Sequence, residues 1–137
     1  MTTPMPLPIR ILLVDDQPAV RQGLRLRLTT EQDIDVVGEA GDGQLAIEMA
    51  TALSPDVVVL DIAMPGIDGF ETARQLRAAV DPAIVMLSLH DDNTSRARAA
   101  AAGADTFVAK HEAGTQLIEA IRQVANHGRD RHADGGP

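Results

Sequence analysis

Five short apolar runs punctuate this chain, near 9–14, 34–39, 56–61, 83–88 and 105–109, and helical patterns fill the intervals. Runs such as Ile9-Arg10-Ile11-Leu12-Leu13-Val14 and Val57-Val58-Val59-Leu60 are β-branched, nearly continuous and bounded by acids, as in strands covered on both faces. Between the first two runs, Pro18 suits a first helical turn, and Val20, Leu24 and Leu28 then recur on one face. Leu45, Met49, Ala50 and Leu53 form a second stripe, opened by Gly41-Asp42-Gly43 and stopped before Pro55. Asp68 with Glu71 resembles a capping box for a third helix through about Ala79. Asn93 or Thr94 is a candidate cap for a fourth, Ala-rich helix ending near Gly103. Leu117, Ile118, Ile121, Val124 and Ala125 mark a fifth, expected to end near Gly128. Five β–α units in strict alternation imply an α/β fold: a parallel sheet with helices on both faces.

Three spans follow. Residues 1–8, with Pro4, Pro6 and Pro8, read as a flexible N-terminal arm; 9–127 form one domain; 128–137 are polar and Gly-rich and read as a linker or disordered tail.

Composition narrows the function. At 137 residues the chain is long enough for one sizeable core. A net charge of −8 opposes binding to a phosphate backbone, and two Phe with no Tyr or Trp offer no base-stacking platform. There is no Cys, which excludes thiolate metal sites and Cys nucleophiles. No run approaches the ~18 apolar residues of a membrane span, and Met1 to Pro8 has neither a basic start nor an apolar stretch, so the expected location is cytoplasmic.

The chemistry lies in where the polar residues fall. Asp15 and Asp16 close the first run, Asp61 the third and Ser88 the fourth; Lys110 follows the fifth. In doubly wound sheets, function gathers at the carboxyl ends of the strands. Each residue has a plain structural reading by itself: Asp15 or Asp16 as a helix N-cap, Asp61 as a loop acid, Lys110 as a solvated charge, Ser88 as a strand end. Together they outline a phosphoryl-transfer site with a carboxylate nucleophile, a cation and a hydroxyl. Clustered buried acids cost desolvation energy, and their usual offset is a divalent cation with a preference for hard oxygen, such as Mg2+. His90, Asp91 and Asp92 read as a solvated loop, with tuning of the site as the alternative; Phe107 is either core packing or a functional aromatic.

The segments Leu12-Leu13-Val14-Asp15-Asp16-Gln17-Pro18, Leu60-Asp61-Ile62-Ala63-Met64-Pro65-Gly66-Ile67-Asp68-Gly69, Ser88-Leu89-His90-Asp91-Asp92 and Gly103-Ala104-Asp105-Thr106-Phe107-Val108-Ala109-Lys110 resemble the receiver domains of bacterial two-component response regulators. Val36-Val37-Gly38-Glu39-Ala40 and the Ser-x-His-Asp-Asp segment are most similar to the NarL/FixJ class. The likeness covers about residues 9–127. It implies a flavodoxin-like (βα)5 three-layer sandwich with strand order 2-1-3-4-5. It also implies a phosphoacceptor signalling domain rather than an enzyme, one that assists its own phosphorylation and dephosphorylation.

By the same resemblance, Asp61 would accept a phosphoryl group from a sensor histidine kinase. Asp16, Asp61 and the Ala63 backbone carbonyl would ligate Mg2+, with Asp15 acting mainly through a bound water. Lys110 and Ser88 would contact the phosphoryl oxygens, and Phe107 would be the switch aromatic. The implied partners are the kinase and, on phosphorylation, a second copy of the chain. DNA binding is expected only through a helix-turn-helix domain beyond Pro137, and not from these residues. Lys110 is followed by His111 rather than the common Pro, and Phe107 lacks the hydroxyl of the commoner Tyr. A haloacid-dehalogenase-type phosphatase would need Asp-x-Asp after the first strand, and an FMN module a hydroxyl-rich loop and aromatics; neither is present. A receiver-like interaction module that is never phosphorylated is the alternative.

Overall fold

The computed structural model describes residues 7–64, 66–89, 93–112 and 114–134, with 112 and 127–134 by their backbone alone. Its strands are β1 (Ile9–Val14), β2 (Ile34–Ala40), β3 (Val57–Asp61), β4 (Ala83–Ser88) and β5 (Thr106–Ala109). The helices between and after them are α1 (Pro18–Leu28), α2 (Gly43–Leu53), α3 (Gly69–Ala79), α4 (Asn93–Ala101) and α5 (Thr115–Asp134). The strands form one parallel sheet in the order β2-β1-β3-β4-β5, the order the resemblance implies. His90, Asp91 and Asp92, read from sequence as a solvated loop, lie outside the described residues, as do most of the N-terminal arm and 135–137.

Period-two alternation divides the apolar strand residues between two layers. Ile11, Leu13, Val57, Val59, Val85 and Leu87 face α1 and α5, meeting Leu28, Leu117, Ile121 and Val124. Leu12, Val14, Val58, Leu60, Ile84 and Met86 face the other way and pack with Ala46, Ala50, Phe70, Leu76 and Ala99 of α2, α3 and α4. Since both faces are covered, the central strands β1, β3 and β4 carry no polar residue but Arg10 until their carboxyl ends.

Register then decides what meets at that end. Val14 lies opposite Leu60, so Asp15 and Asp61 are the next residues on neighbouring strands. Asp61 lies opposite Leu87, one residue before Ser88, and Ser88 lies opposite Ala109, one residue before Lys110. Four polar side chains from four adjacent strands thus share one rim.

Local signals set most helix starts. Asp42 and Asp68 cap α2 and α3, accepting from the backbone N–H of Leu45 and Glu71 at 2.8 and 2.9 Å. Only half of the expected capping box forms, because the Glu71 carboxylate turns to Arg74 and Gln75 instead. Gly69 lets α3 approach β3: a Cβ there would stand 2.6 Å from the Asp61 carbonyl oxygen. Gly103, at φ +103°, ends the α4 region in a backbone conformation that other residues adopt only under strain.

Three expectations need correction, and one plain structural alternative falls away. Helix α1 starts after Gln17, which makes no side-chain cap, so neither Asp15 nor Asp16 is its N-cap. Leu45 is exposed; the buried face of α2 is Gly43, Ala46 and Ala50, small residues that allow close packing on the sheet. Asn93 and Thr94 lie inside α4 rather than before it. Helix α5 continues past Gly128 to Asp134, since one glycine costs a helix only about 1 kcal/mol and no proline intervenes.

Leu13 is fully buried between β1's neighbours and the α1/α5 layer. Leu13→Ala should lower unfolding free energy by about 3 kcal/mol in urea titration, against under 1 for Leu26→Ala on the exposed side of α1.

Candidate phosphoacceptor site

The structure brings Asp15, Asp16, Asp61, Ser88 and Lys110 to the carboxyl rim of the sheet. Asp15 and Asp61 are almost fully buried, at 1% and 3% exposure, and Ser88 is buried at 5%. Asp16 is solvent-accessible, and one carboxylate oxygen from each of the three acids falls within 4.8 Å of the others.

The two buried acids are held alike. Asp15 Oδ1 accepts the backbone N–H of Gln17 at 2.9 Å, and Asp61 Oδ1 accepts that of Ala63 at 3.2 Å. Each turn fixes its carboxylate and leaves Oδ2 for Lys110, whose Nζ stands 3.1 Å from Asp15 and 3.2 Å from Asp61. Asp15 Oδ2 is buried and receives no well-aligned hydrogen bond; its partner is that charge. Lys110 leaves β5 at the start of a short 3-10 turn, Lys110–Glu112, which directs it back across the rim. Ala63, whose carbonyl the resemblance assigns to the metal, sits exposed in the loop after β3.

Burial, and then the nearby Asp15 carboxylate, push the Asp61 carboxyl above the ordinary carboxylate range, with Lys110 opposing. Burial tends to lower the Lys110 ammonium, but its two carboxylate partners outweigh this and hold it above its usual value. Three carboxylates face one ammonium, so the rim is short of two positive charges. Clustered hard oxygens, two buried carboxylates that share a single ammonium and that deficit fit a divalent cation such as Mg2+.

A cavity of about 280 Å3 opens beside Asp61 and Ser88. Its lining includes three residues that the sequence did not single out: Phe70, Ser95 and Arg98. No spacing rule would have found them, because they approach from α3 and α4 rather than from a strand end. Phe107 is half-buried on the α4 side, with the Arg96 guanidinium 4.8 Å from its ring centroid.

The profile of the response regulator receiver domain family matches residues 11–122, and the chain belongs to that family. It is 39% identical over 118 residues to the transcriptional regulatory protein LiaR of Bacillus subtilis, covering 85% of this chain and 56% of LiaR. It is 38% identical over 119 residues to the nitrate/nitrite response regulator NarL of Escherichia coli K12, covering 86% and 55%. The chain thus spans little more than half the length of these relatives. The signal receiver domain of the putative response regulator NarL from Mycobacterium tuberculosis superposes with a TM-score of 0.84 at 34% identity, covering 88% of this chain and 98% of that one. Among the described residues, no helix is long and apolar enough to cross a membrane.

The raised Asp61 pKa has a direct thermodynamic consequence. The folded state holds that proton more tightly than the unfolded state does. Its contribution therefore favours folding at low pH and is lost as pH rises through the folded value. In metal-free buffer, Asp61→Asn should melt higher than wild type at pH 7, and the gap should close below the ordinary carboxylate value of 3.8. An Asp61→Asn protein that melts lower at pH 7 would contradict this.

Lys110→Ala should instead destabilise by about 3 kcal/mol without metal, because it strands two buried carboxylates. Added Mg2+ should recover part of the loss in urea titration.

Proposed function

We propose that this domain accepts a phosphoryl group on Asp61 and uses it to switch a protein–protein surface. The observation that carries the reading is the pairing of Lys110 with two buried carboxylates beside an open cavity. Asp61 Oδ attacks the phosphorus of a phosphohistidine on a sensor kinase. The P–O bond forms as the P–N bond breaks, and the imidazole leaves with a proton from solvent. Lys110 faces the charge that develops on the phosphoryl oxygens, and the Ser88 hydroxyl donates to one of them.

Asp15, Asp16, Asp61 and the Ala63 carbonyl would hold Mg2+, which when bound offsets the carboxylate charge and polarises the phosphoryl oxygens. The turn that ties Asp61 Oδ1 to Ala63 keeps the nucleophile oriented before any donor arrives. Two clustered acids just after β1 and Lys110 just after β5 are present together with the acceptor, which supports phosphorylation over a purely structural interaction module. The output, transcription through a DNA-binding domain as the names of the relatives suggest, is proposed for the whole regulator.

The test is mass spectrometry after incubation with Mg2+ and a small phosphodonor. Wild type should gain one base-labile phosphate, Asp61→Asn none, and Asp16→Ala less than wild type. Undiminished labelling of Asp61→Asn would sink the assignment, and an unlabelled wild type would favour the interaction module.

Phosphorylation should also shift self-association. A phosphoryl group of about −2 charge draws the Ser88 hydroxyl inward, which makes room for Phe107 to rotate toward the interior. Burying the rest of that half-exposed ring is worth at most about 1.5–3 kcal/mol, enough to move a two-state equilibrium roughly ten- to a hundred-fold. Sedimentation with Mg2+ and beryllofluoride should show more dimer for wild type than for Ser88→Ala. A monomer under every condition would refute the dimer and leave the acceptor untouched.

A further inference from the structure

The chain has two aromatic residues, and both lie under arginines of one helix. Arg98 places its guanidinium 4.2 Å from the Phe70 ring centroid, and Arg96 stands over Phe107. Two positions apart on a helix, these arginines leave α4 in directions about 200° apart. The aliphatic hold on α4 is slight: Ala99, and Ala102 just beyond its end, are what it gives to the core. The ring contacts are therefore a large share of what seats this helix.

The two contacts differ in what lies beside them. Phe70 is 5% exposed at the start of α3, and it lines the cavity that also holds Asp61, Ser88 and Lys110. Arg98 lines the same cavity. Among the described residues there, Lys110 and Arg98 are the two cations, and Lys110 already serves two carboxylates. A phosphoryl group on Asp61 adds about two negative charges to this space. A guanidinium bonded to phosphoryl oxygens is a stronger pairing than one over a phenyl face at a partly open site.

We infer that Arg98 is a second cationic contact for the phosphoryl group, exchanging the Phe70 ring for phosphoryl oxygens when Asp61 is modified. The inference rests on the reading of Asp61 as the acceptor. Leaving Phe70 releases one of the two ring contacts that seat α4, so the helix moves with the charge. Arg96 then carries that movement to Phe107. The charge on Asp61 thus reaches the α4 surface through Arg98 as well as through Ser88.

The probe is beryllofluoride with Mg2+, which mimics the acyl phosphate without turnover. The chain is labelled with 4-fluorophenylalanine, which gives two fluorine resonances, assigned with Phe107→Leu. On saturation, the Phe70 resonance of wild type should move to the position it holds in ligand-free Arg98→Met. Arg98→Met should bind beryllofluoride about ten-fold more weakly than wild type, as expected for one lost charge-assisted bond, and Arg98→Lys less weakly than that. Arg74→Met on the exposed side of α3 makes the same charge change and should leave affinity as in wild type. Equal weakening in Arg74→Met and Arg98→Met would reduce the effect to long-range charge and overturn the contact. Wild-type affinity in Arg98→Met, or a Phe70 resonance that stays fixed on saturation, would also overturn it while the acceptor reading stands. If wild type itself fails to bind beryllofluoride, both readings fall.

Discussion

The ammonium of Lys110 is the interaction on which the rim of the sheet depends. Two carboxylates that are all but excluded from water stand side by side at the ends of β1 and β3, and a third lies within 4.8 Å. Such a group does not remain charged and buried by packing alone. Lys110 satisfies one oxygen of each buried acid, and a backbone N–H two residues further on satisfies the other. This arrangement ties β5, at one edge, to β1 and β3 across the intervening β4. The three acids still exceed the single ammonium, so the ion pair that lets the buried carboxylates stand leaves a net negative rim. Stability and chemistry are opposed here: the apo protein bears a desolvated Asp61 that a neutral side chain would relieve.

The elements that surround the rim are fastened unequally. Helix α5 is joined to the β2 side through Arg122, which bonds Asp33 at 2.8 Å and reaches Glu31. Arg77 of α3 joins the Gly103 and Pro82 carbonyls to Asp105, closing the amino-terminal edge of β4 and β5. Arg10 bonds the Leu53 and Ser54 carbonyls at the end of α2. Arg77 and Arg10 thus staple backbone carbonyls outside the sheet, while Arg122 holds α5 through side-chain carboxylates. On α4 the arginines lie over rings, contacts whose strength depends on desolvation and on competing charge.

Much of this was legible because buried parallel strands leave so coarse a signature. Val57 to Leu60 has no polar residue to place, so its limits are evident and Asp61 must stand at its end. Strand order came from the ordered motifs rather than from periodicity, since alternation of β and α units is compatible with several orders. What failed was rotation and length. Leu45 belongs to a stripe that is valid on a helical wheel, yet only Ala50 of that stripe is fully buried, and Gly43 and Ala46 complete the face that the sheet accepts. Gly128 looked like a stop, but a glycine followed by Arg129, Asp130, Arg131 and Ala133 interrupts nothing. Arg98 was invisible for a deeper reason: its relation to Phe70 depends on how α3 and α4 lie against the sheet, and no local spacing encodes that.

These differences put the adjustable part of the molecule in one place. Asp61 ends β3, and Asp15, Asp16 and Lys110 directly follow β1 and β5, so their places are set by strands locked in register, where a shift of one residue would reverse every buried side chain. Ser88 and Phe107 end or occupy the two strands nearest α4. A change of charge at Asp61 therefore meets a stiff sheet on the β1 and β3 side and a weakly seated helix on the other. A stiff element transmits strain without absorbing it, and a helix held by few apolar contacts moves at small cost. Under the proposal that Asp61 is the acceptor, the direction of the response follows from that asymmetry: charge placed on β3 would be felt as displacement of α4 and of the β5 surface beside it.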